Sequence, residues 1–212
     1  LGAKSHGNKS PIQMVSACAC ENNLVLAQVK THEKSNEITA IPEQLKVLDI
    51  EDTIATIDTM GCQEKIATAI IEKGADYILA VKAIQKHLYQ DIELEFKLTE
   101  HAQQSTRLDY GHGRIETRIG NTITNLNEIE GAKSWTNSKT IVKIESIREF
   151  KNCSKLNKKA TRYYIFSLTA NAEDFQKAIR SHLAIENKLH WTLGVTFSED
   201  ASRKTAGNAA QN

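Results

Sequence analysis

Apolar and polar positions along this chain fall into two periodicities that separate strands from helices. Met14 to Cys20 and Leu24 to Lys30 are apolar, β-branched runs flanking Glu21-Asn22-Asn23, and they predict a β-hairpin with an asparagine-rich turn. Polar Thr31 to Asn36 leads to a predicted helix with Pro42 in its first turn, on which Ile41, Leu45 and Leu48 recur at helical spacing. Thr53 to Ile57 predicts a short strand that delivers Asp58 at its carboxyl end. Thr59-Met60-Gly61 turns the chain into a second helix, where Ile66/Ile70 and Ala67/Ile71 pair at i, i+4 and Gly74 caps the end. Ala75 to Val81 is a further buried strand. Strand, helix and strand in so short a span predict parallel pairing with a right-handed crossover. A longer helix follows over 84–98.

From 109 to 168 the pattern predicts strands at Tyr110 to Gly120, Lys139 to Phe150 and Thr161 to Leu168. In the first of these His112, Arg114, Glu116 and Arg118 alternate onto one face, which suits either phosphate contacts or an ordinary solvated strand. Ala172 onward predicts a helix with Phe175, Ile179, His182, Glu186, Leu189 and Leu193 on one side. Glu186 lies in the middle of that stripe, where a carboxylate is costly unless paired, hydrogen-bonded or bound to metal. A Glu paired with Lys or Arg, or a stripe edge reaching solvent, is the plainer account. The column His182, Glu186, His190 leaves a transition-metal site open as well. Asp58 divides in the same way between a functional group facing the crevice at a strand end and a helix-capping Asp.

Composition narrows the choice. The chain has 212 residues, 40% hydrophobic and 25% charged, which suits one globular domain over 1–212 with a β-rich part over 100–168. Cys18, Cys20, Cys62 and Cys153 form no CxxC pair, and no signal peptide or long apolar run is present. A cytoplasmic protein with reduced thiols and no membrane contact is expected. The net charge of +1 is unevenly spread. Residues 40–100 are acidic, whereas 139–162 carry Lys139, Lys143, Arg148, Lys151, Lys155, Lys158, Lys159 and Arg162 against only Glu145 and Glu149. Two acids converging from a strand end and a distant helix can hold a hard cation such as Mg²⁺. Paired ions of that kind serve phosphodiester chemistry, and the basic strip would grip a DNA backbone.

The stretches Val29 to Pro42, Ile57-Asp58-Thr59-Met60-Gly61-Cys62-Gln63, Tyr77 to Lys82, His112-Gly113-Arg114-Ile115-Glu116 and Ile185-Glu186-Asn187-Lys188-Leu189-His190-Trp191 together resemble the H-repeat-associated (ISAs-type) insertion-sequence transposases. The resemblance runs in order through nearly the whole chain. It implies a ribonuclease-H-like mixed α/β sheet with flanking helices and a β-rich insertion between the second and third catalytic positions. It also implies an Asp-Asp-Glu triad holding two Mg²⁺ or Mn²⁺ ions in an intact relative, for cutting and rejoining DNA. By that likeness Asp58 matches the second catalytic Asp and Glu186 the Glu; both would hold metal. His182, Asn187 and His190 would support them or touch DNA, and Arg114 and Arg118 would join the basic strip in holding phosphates. The implied partners are element-end and target DNA, with a homodimer as a further possibility, in a bacterial cytoplasm and nucleoid.

The family's first catalytic Asp belongs to a strand that would precede Leu1, and residues 1–20 hold no carboxylate to replace it. That strand is central in such sheets, so its absence would leave open edges. Gly194 replaces an acidic residue usual in the family. Both chain ends read as cut, and an inactive, truncated copy is expected. The rival is a non-catalytic DNA-binding or dimerising remnant.

Overall fold

In a computed structural model of the chain, residues 14–19, 24–30, 37–57, 61–99, 103–111, 113–150 and 157–185 are described. They divide into two compact units, one belonging to Leu1–Asp49 with Arg180–Asn212, the other to Ile50–Ile179.

In the first unit, β1 (Met14–Ala19) and β2 (Leu24–Lys30) form the expected hairpin as a two-stranded antiparallel sheet. Its register slips between Ala17, opposite Ala27, and Cys18, opposite Val25, so Leu26 is an extra residue forming a bulge. Helix α1 (Glu37–Val47) is tied to both strands by the buried Gln44 amide, which donates to the carbonyls of Val15 at 2.6 Å and Ala27 at 3.3 Å. Pro42 does not lie in the first turn of α1 as expected but inside it. Ala40 and Ile41, just before it, are buried, and apolar burial extends the helix upstream of the position that proline usually marks.

The second unit is built on one sheet in the order β3-β4-β8-β7-β6-β5. β3 (Ile54–Ile57) and β4 (Asp76–Val81) run parallel, joined through α2 (Glu64–Glu72), as the strand–helix–strand pattern predicts. Helix α2 ends where Gly74 adopts a φ of +71°. The Ala75 N–H bonds Ile70 C=O at 3.2 Å and the Gly74 N–H bonds Ile71 C=O at 3.0 Å, the paired bonds of a Schellman ending. After α3 (Lys86–Leu98), four antiparallel strands complete the sheet: β5 (Gln103–Gly111), β6 (Arg114–Ile123), β7 (Thr140–Phe150) and β8 (Lys158–Phe166). β8 then pairs antiparallel with β4, so the β-rich part extends the βαβ sheet directly.

The strand expected over Tyr110–Gly120 is corrected: a hairpin turn interrupts it, with Gly113 at a φ of +69°, and β5 before the turn was not foreseen. Parity shifts by one across the turn: Tyr110 lies opposite Ile115, on the other sheet face from Arg114, Glu116 and Arg118.

Each sheet face has its own cover. Tyr163 on β8 meets the rings of Tyr89 and Phe96 from α3, and the Tyr77 hydroxyl on β4 donates to the Thr136 carbonyl at 3.0 Å. The opposite face carries Phe166, whose ring centroid is 4.3 Å from that of Phe175 on α4 (Ala172–Ile185). Asn171 caps α4 by accepting the Asp174 N–H at 2.9 Å and donating back to its carboxylate at 2.6 Å. Among the described residues no helix is long and apolar enough to cross a membrane.

Candidate functional site

The two acids on which the chemistry would turn, Asp58 and Glu186, lie outside the described residues, as do Asn187, His190, His112, Lys151 and Lys155. The structure does describe the segments that lead to them. Strand β3 ends at Ile57, opposite Leu79 of β4, and Asp58 is the next residue in sequence. Helix α4, described over Ala172–Ile185, contains His182, and Glu186 is the next residue in sequence. Phe175 and Ile179 are buried as the stripe predicts. Among the described residues no group of three His, Cys, Asp or Glu side chains is placed to hold a metal ion.

The loop after β3 is fastened to the loop after β4 by a residue that sequence reasoning missed. Gln85 precedes α3, yet its amide makes no helix-capping bond. Its nitrogen donates to the Cys62 carbonyl at 2.8 Å and its oxygen accepts the Lys82 N–H at 3.1 Å. Cys62 is wholly buried. The chain on the far side of Asp58–Met60 is therefore held against the carboxyl end of β4. A lone Gln four residues past a strand carries no periodic signal.

The basic residues sort by strand parity, because successive side chains on a strand point to opposite faces. One face of β5–β8 gathers Arg107 and Asp109 of β5, Arg114, Glu116 and Arg118 of β6, Arg148 of β7, and Lys158 and Arg162 of β8. Glu116 is its centre: it is 5% exposed and sits 3.0 Å from Arg118 Nη2, 3.2 Å from Arg148 Nε and 3.8 Å from Arg114 Nη2. Arg118 also pairs through Nη1 with Asp109, which has Arg107 Nε at 3.8 Å. Directly opposed like charges, Arg107 with Arg118 and Asp109 with Glu116, would repel. Here the diagonal and same-strand partners are of opposite sign, and the cluster becomes an alternating lattice.

The remaining basic candidates do not join it. Lys143 and Lys159 occupy the other parity of β7 and β8, opposite Tyr163 and Ile147 respectively. Lys143 packs its ammonium 5.1 Å from the centre of the Phe96 ring and 3.2 Å from Glu145. Lys139 is an exposed loop residue whose N–H bonds the Phe166 carbonyl at 2.8 Å. Arg107 was missed with β5, although Thr106, Leu108 and Tyr110 alternating with Arg107 and Asp109 carry its signal.

Two tyrosines have shifted acidities. Burial, then the Cys62 thiol and Asp76, pushes the Tyr77 hydroxyl far above the usual phenol range. Burial, then Glu93, Tyr89 and Glu145, pushes Tyr163 up to about 12. Both are neutral core groups at physiological pH and offer no acid–base chemistry there.

Comparison with known proteins covers almost the whole chain. A family profile described as "Transposase DDE domain" matches residues 2–212. A protein of Escherichia coli O157:H7 named "Putative transposase YncI" is 42% identical over 210 residues, covering 96% of this chain and 53% of that protein. Another, from Escherichia coli strain K12 and named "H repeat-associated putative transposase YhhI", is 40% identical over 210 residues, covering 96% of this chain and 55% of its own length. The chain spans about half the length of these curated relatives. No solved structure matches.

Proposed function

This chain belongs to the Transposase DDE domain family, and from that premise we propose that it serves insertion-sequence transposition, as a catalytic region for metal-dependent cleavage and strand transfer of DNA. Its mixed six-stranded sheet with flanking helices is consistent with the ribonuclease-H-like architecture expected from the sequence. What carries the reading is the family match itself, which spans both acidic positions from 2 to 212.

Asp58 and Glu186 are the residues proposed to hold the ion. Their donor set suits Mg²⁺ or Mn²⁺, since both offer hard carboxylate oxygens. Such an ion, when bound, polarises a phosphodiester and activates an attacking oxygen. The rest falls to the chain. Pairing of β3 with β4 fixes the strand that leads to Asp58, and Gln85 fixes the loop beyond it. Phosphates would be held by Arg114 and Arg118 of β6, Arg148 of β7 and Lys158 and Arg162 of β8, whose contacts position DNA without reading its sequence. His182, Asn187 and His190 would orient the acidic helix end or contact the strand near it.

The test is nicking of supercoiled plasmid in Mg²⁺ or Mn²⁺ by a protein that joins this chain to a strand carrying the family's first catalytic Asp. Nicking that EDTA stops and that Asp58→Ala and Glu186→Ala each abolish, with DNA binding retained, is the expected outcome. Salt-dependent DNA binding without nicking, unchanged by either substitution, would instead establish a non-catalytic DNA-binding protein.

A further inference from the structure

We infer that a single face of the β5–β8 sheet, rather than the basic segment as a whole, takes the phosphodiester backbone. Arg107, Arg114, Arg118, Arg148, Lys158 and Arg162 are its cations, and Asp109 and Glu116 are its built-in counter-ions. The inference rests on the transposase reading only for the identity of the polyanion as DNA.

Three observations lead there. First, the charge is concentrated by the fold and not by the sequence: β5 contributes Arg107 from outside the basic segment, whereas Lys143 and Lys159 within it belong to the other face. Six cations share this face with two carboxylates. Second, the donors are in excess. Each guanidinium carries five N–H donors and each carboxylate about four acceptor sites, so two carboxylates cannot use the donors of four arginines. Third, the arrangement is held from beneath. Glu116 is buried, while the side chains of Arg107, Arg114 and Arg148 are 48%, 39% and 41% exposed. A carboxylate under the arginines keeps their planar forks near one orientation and lowers their mutual repulsion while the outer donors face water. A phosphate arriving there meets preorganised bidentate donors.

A structural ion-pair network would need no such surplus. Lys158, opposite Arg148, and Arg162 are both exposed and extend the positive face across β8.

The experiment measures binding of a short fluorescein-labelled duplex by anisotropy, in EDTA, across a KCl series. Arg107→Ala and Arg162→Ala should each weaken binding several-fold, and each should make the slope of log K against log salt shallower by about 1. Lys159→Ala, on the neighbouring residue to Lys158 but the opposite face, should leave affinity and slope unchanged. Arg162→Glu should exceed Arg162→Ala. Arg107 and Arg162 are exposed, so thermal melts of these variants should match the parent and separate lost contact from lost fold. Equal losses from Lys159→Ala and Arg107→Ala overturn the inference, as does binding to phosphatidylserine vesicles in preference to duplex. Because EDTA removes any metal step, face-dependent binding without nicking in Mg²⁺ would count against the catalytic reading alone. Nicking that survives both arginine substitutions with unaltered DNA affinity would count against this inference alone.

Discussion

Gln85 and Cys62 are joined by a side-chain N–H donated to a main-chain carbonyl at 2.8 Å, while the same amide accepts the Lys82 N–H at 3.1 Å. One residue thus closes two loops at the carboxyl ends of two parallel strands. Gln85→Ala removes both bonds and strands a carbonyl beside a fully buried residue, at a cost of about 1–3 kcal/mol. Gln85→Glu is more diagnostic. It keeps the acceptor for Lys82 but loses the donor to Cys62 and sets a carboxylate against a carbonyl oxygen. Folding therefore favours the protonated form of the introduced carboxyl and raises its pKa. The variant should be less stable than the parent at neutral pH and should close the gap as pH falls through that raised value. A gap in melting temperature that stays constant from neutral to mildly acid pH would show the donor to be dispensable.

Which parts of this were legible in the sequence follows from the range of the signal. The βαβ unit was read correctly because its signals are local: an apolar run, a helical stripe with Ile66 and Ile70, and Gly74 at the turn. The hairpin of β5 and β6 was misplaced because Tyr110 and His112 carry the even-numbered alternation of Arg114 and Glu116 back past the turn in sequence, whereas pairing puts Tyr110 on the other face and Asp109 with Glu116. Gly111 and Gly113 were the local marks of the turn. The basic segment was visible as a charge count, but a count along the chain cannot see parity. Only pairing distinguishes Lys158, which lies opposite Arg148, from Lys159, which lies opposite Ile147. The Glu116 cluster depends on three strands at once and was read as a plain alternating face. Asp58 was singled out by its place after an apolar strand and Glu186 by its place in an apolar stripe, and the resemblance then gave both a role. Their convergence is a long-range relation between positions outside the described residues and stands as a proposal.

The Glu116 carboxylate makes a further prediction about stability. With three guanidinium groups around it, Glu116→Gln leaves like charges facing one another near a buried amide. Because the arginines are partly exposed, solvent screens much of the repulsion, and a loss of about 1–2 kcal/mol is expected. The sign of the salt response is the stronger check. Added KCl weakens the ion pairs of the parent but relieves repulsion in the variant. The difference in denaturant midpoint between the two should therefore shrink as salt rises. A difference that salt leaves unchanged would mean that Glu116 contributes through packing and not through its charge.

Three glycines should respond differently to alanine. At Gly131 a Cβ would lie 2.7 Å from the Leu88 Cα and 2.8 Å from its backbone nitrogen, so α3 itself must move. The Gly131 N–H also donates to Asp91 at 2.9 Å. A loss of about 1–3 kcal/mol is expected for Gly131→Ala. Gly113 has open space around it but a φ of +69°, so Gly113→Ala should cost roughly 1 kcal/mol through backbone strain. Gly111 has neither constraint, and its substitution should be close to neutral. Denaturant melts of the three variants should rank them in that order; equal effects would place Gly131 away from α3.

Alkaline stability should be set by the two core phenols. Both hydroxyls have folded pKa values above the unfolded value near 10: Tyr163 is pushed up to about 12, and Tyr77 lies higher still. A raised folded value means that the native state holds the proton more tightly. The associated stability is complete below about pH 10 and is lost progressively as pH climbs through the folded values. Tyr163→Phe deletes an ionisable group, and the unfolding transition between about pH 10 and 12 should flatten in that variant. In Tyr77→Phe the same flattening should come with a lower melting temperature at neutral pH, because the Thr136 carbonyl loses its 3.0 Å donor. Spectrophotometric titration of tyrosinate alongside circular dichroism would separate the two. Ionisation of all the tyrosines near pH 10 with secondary structure intact would refute the burial of both.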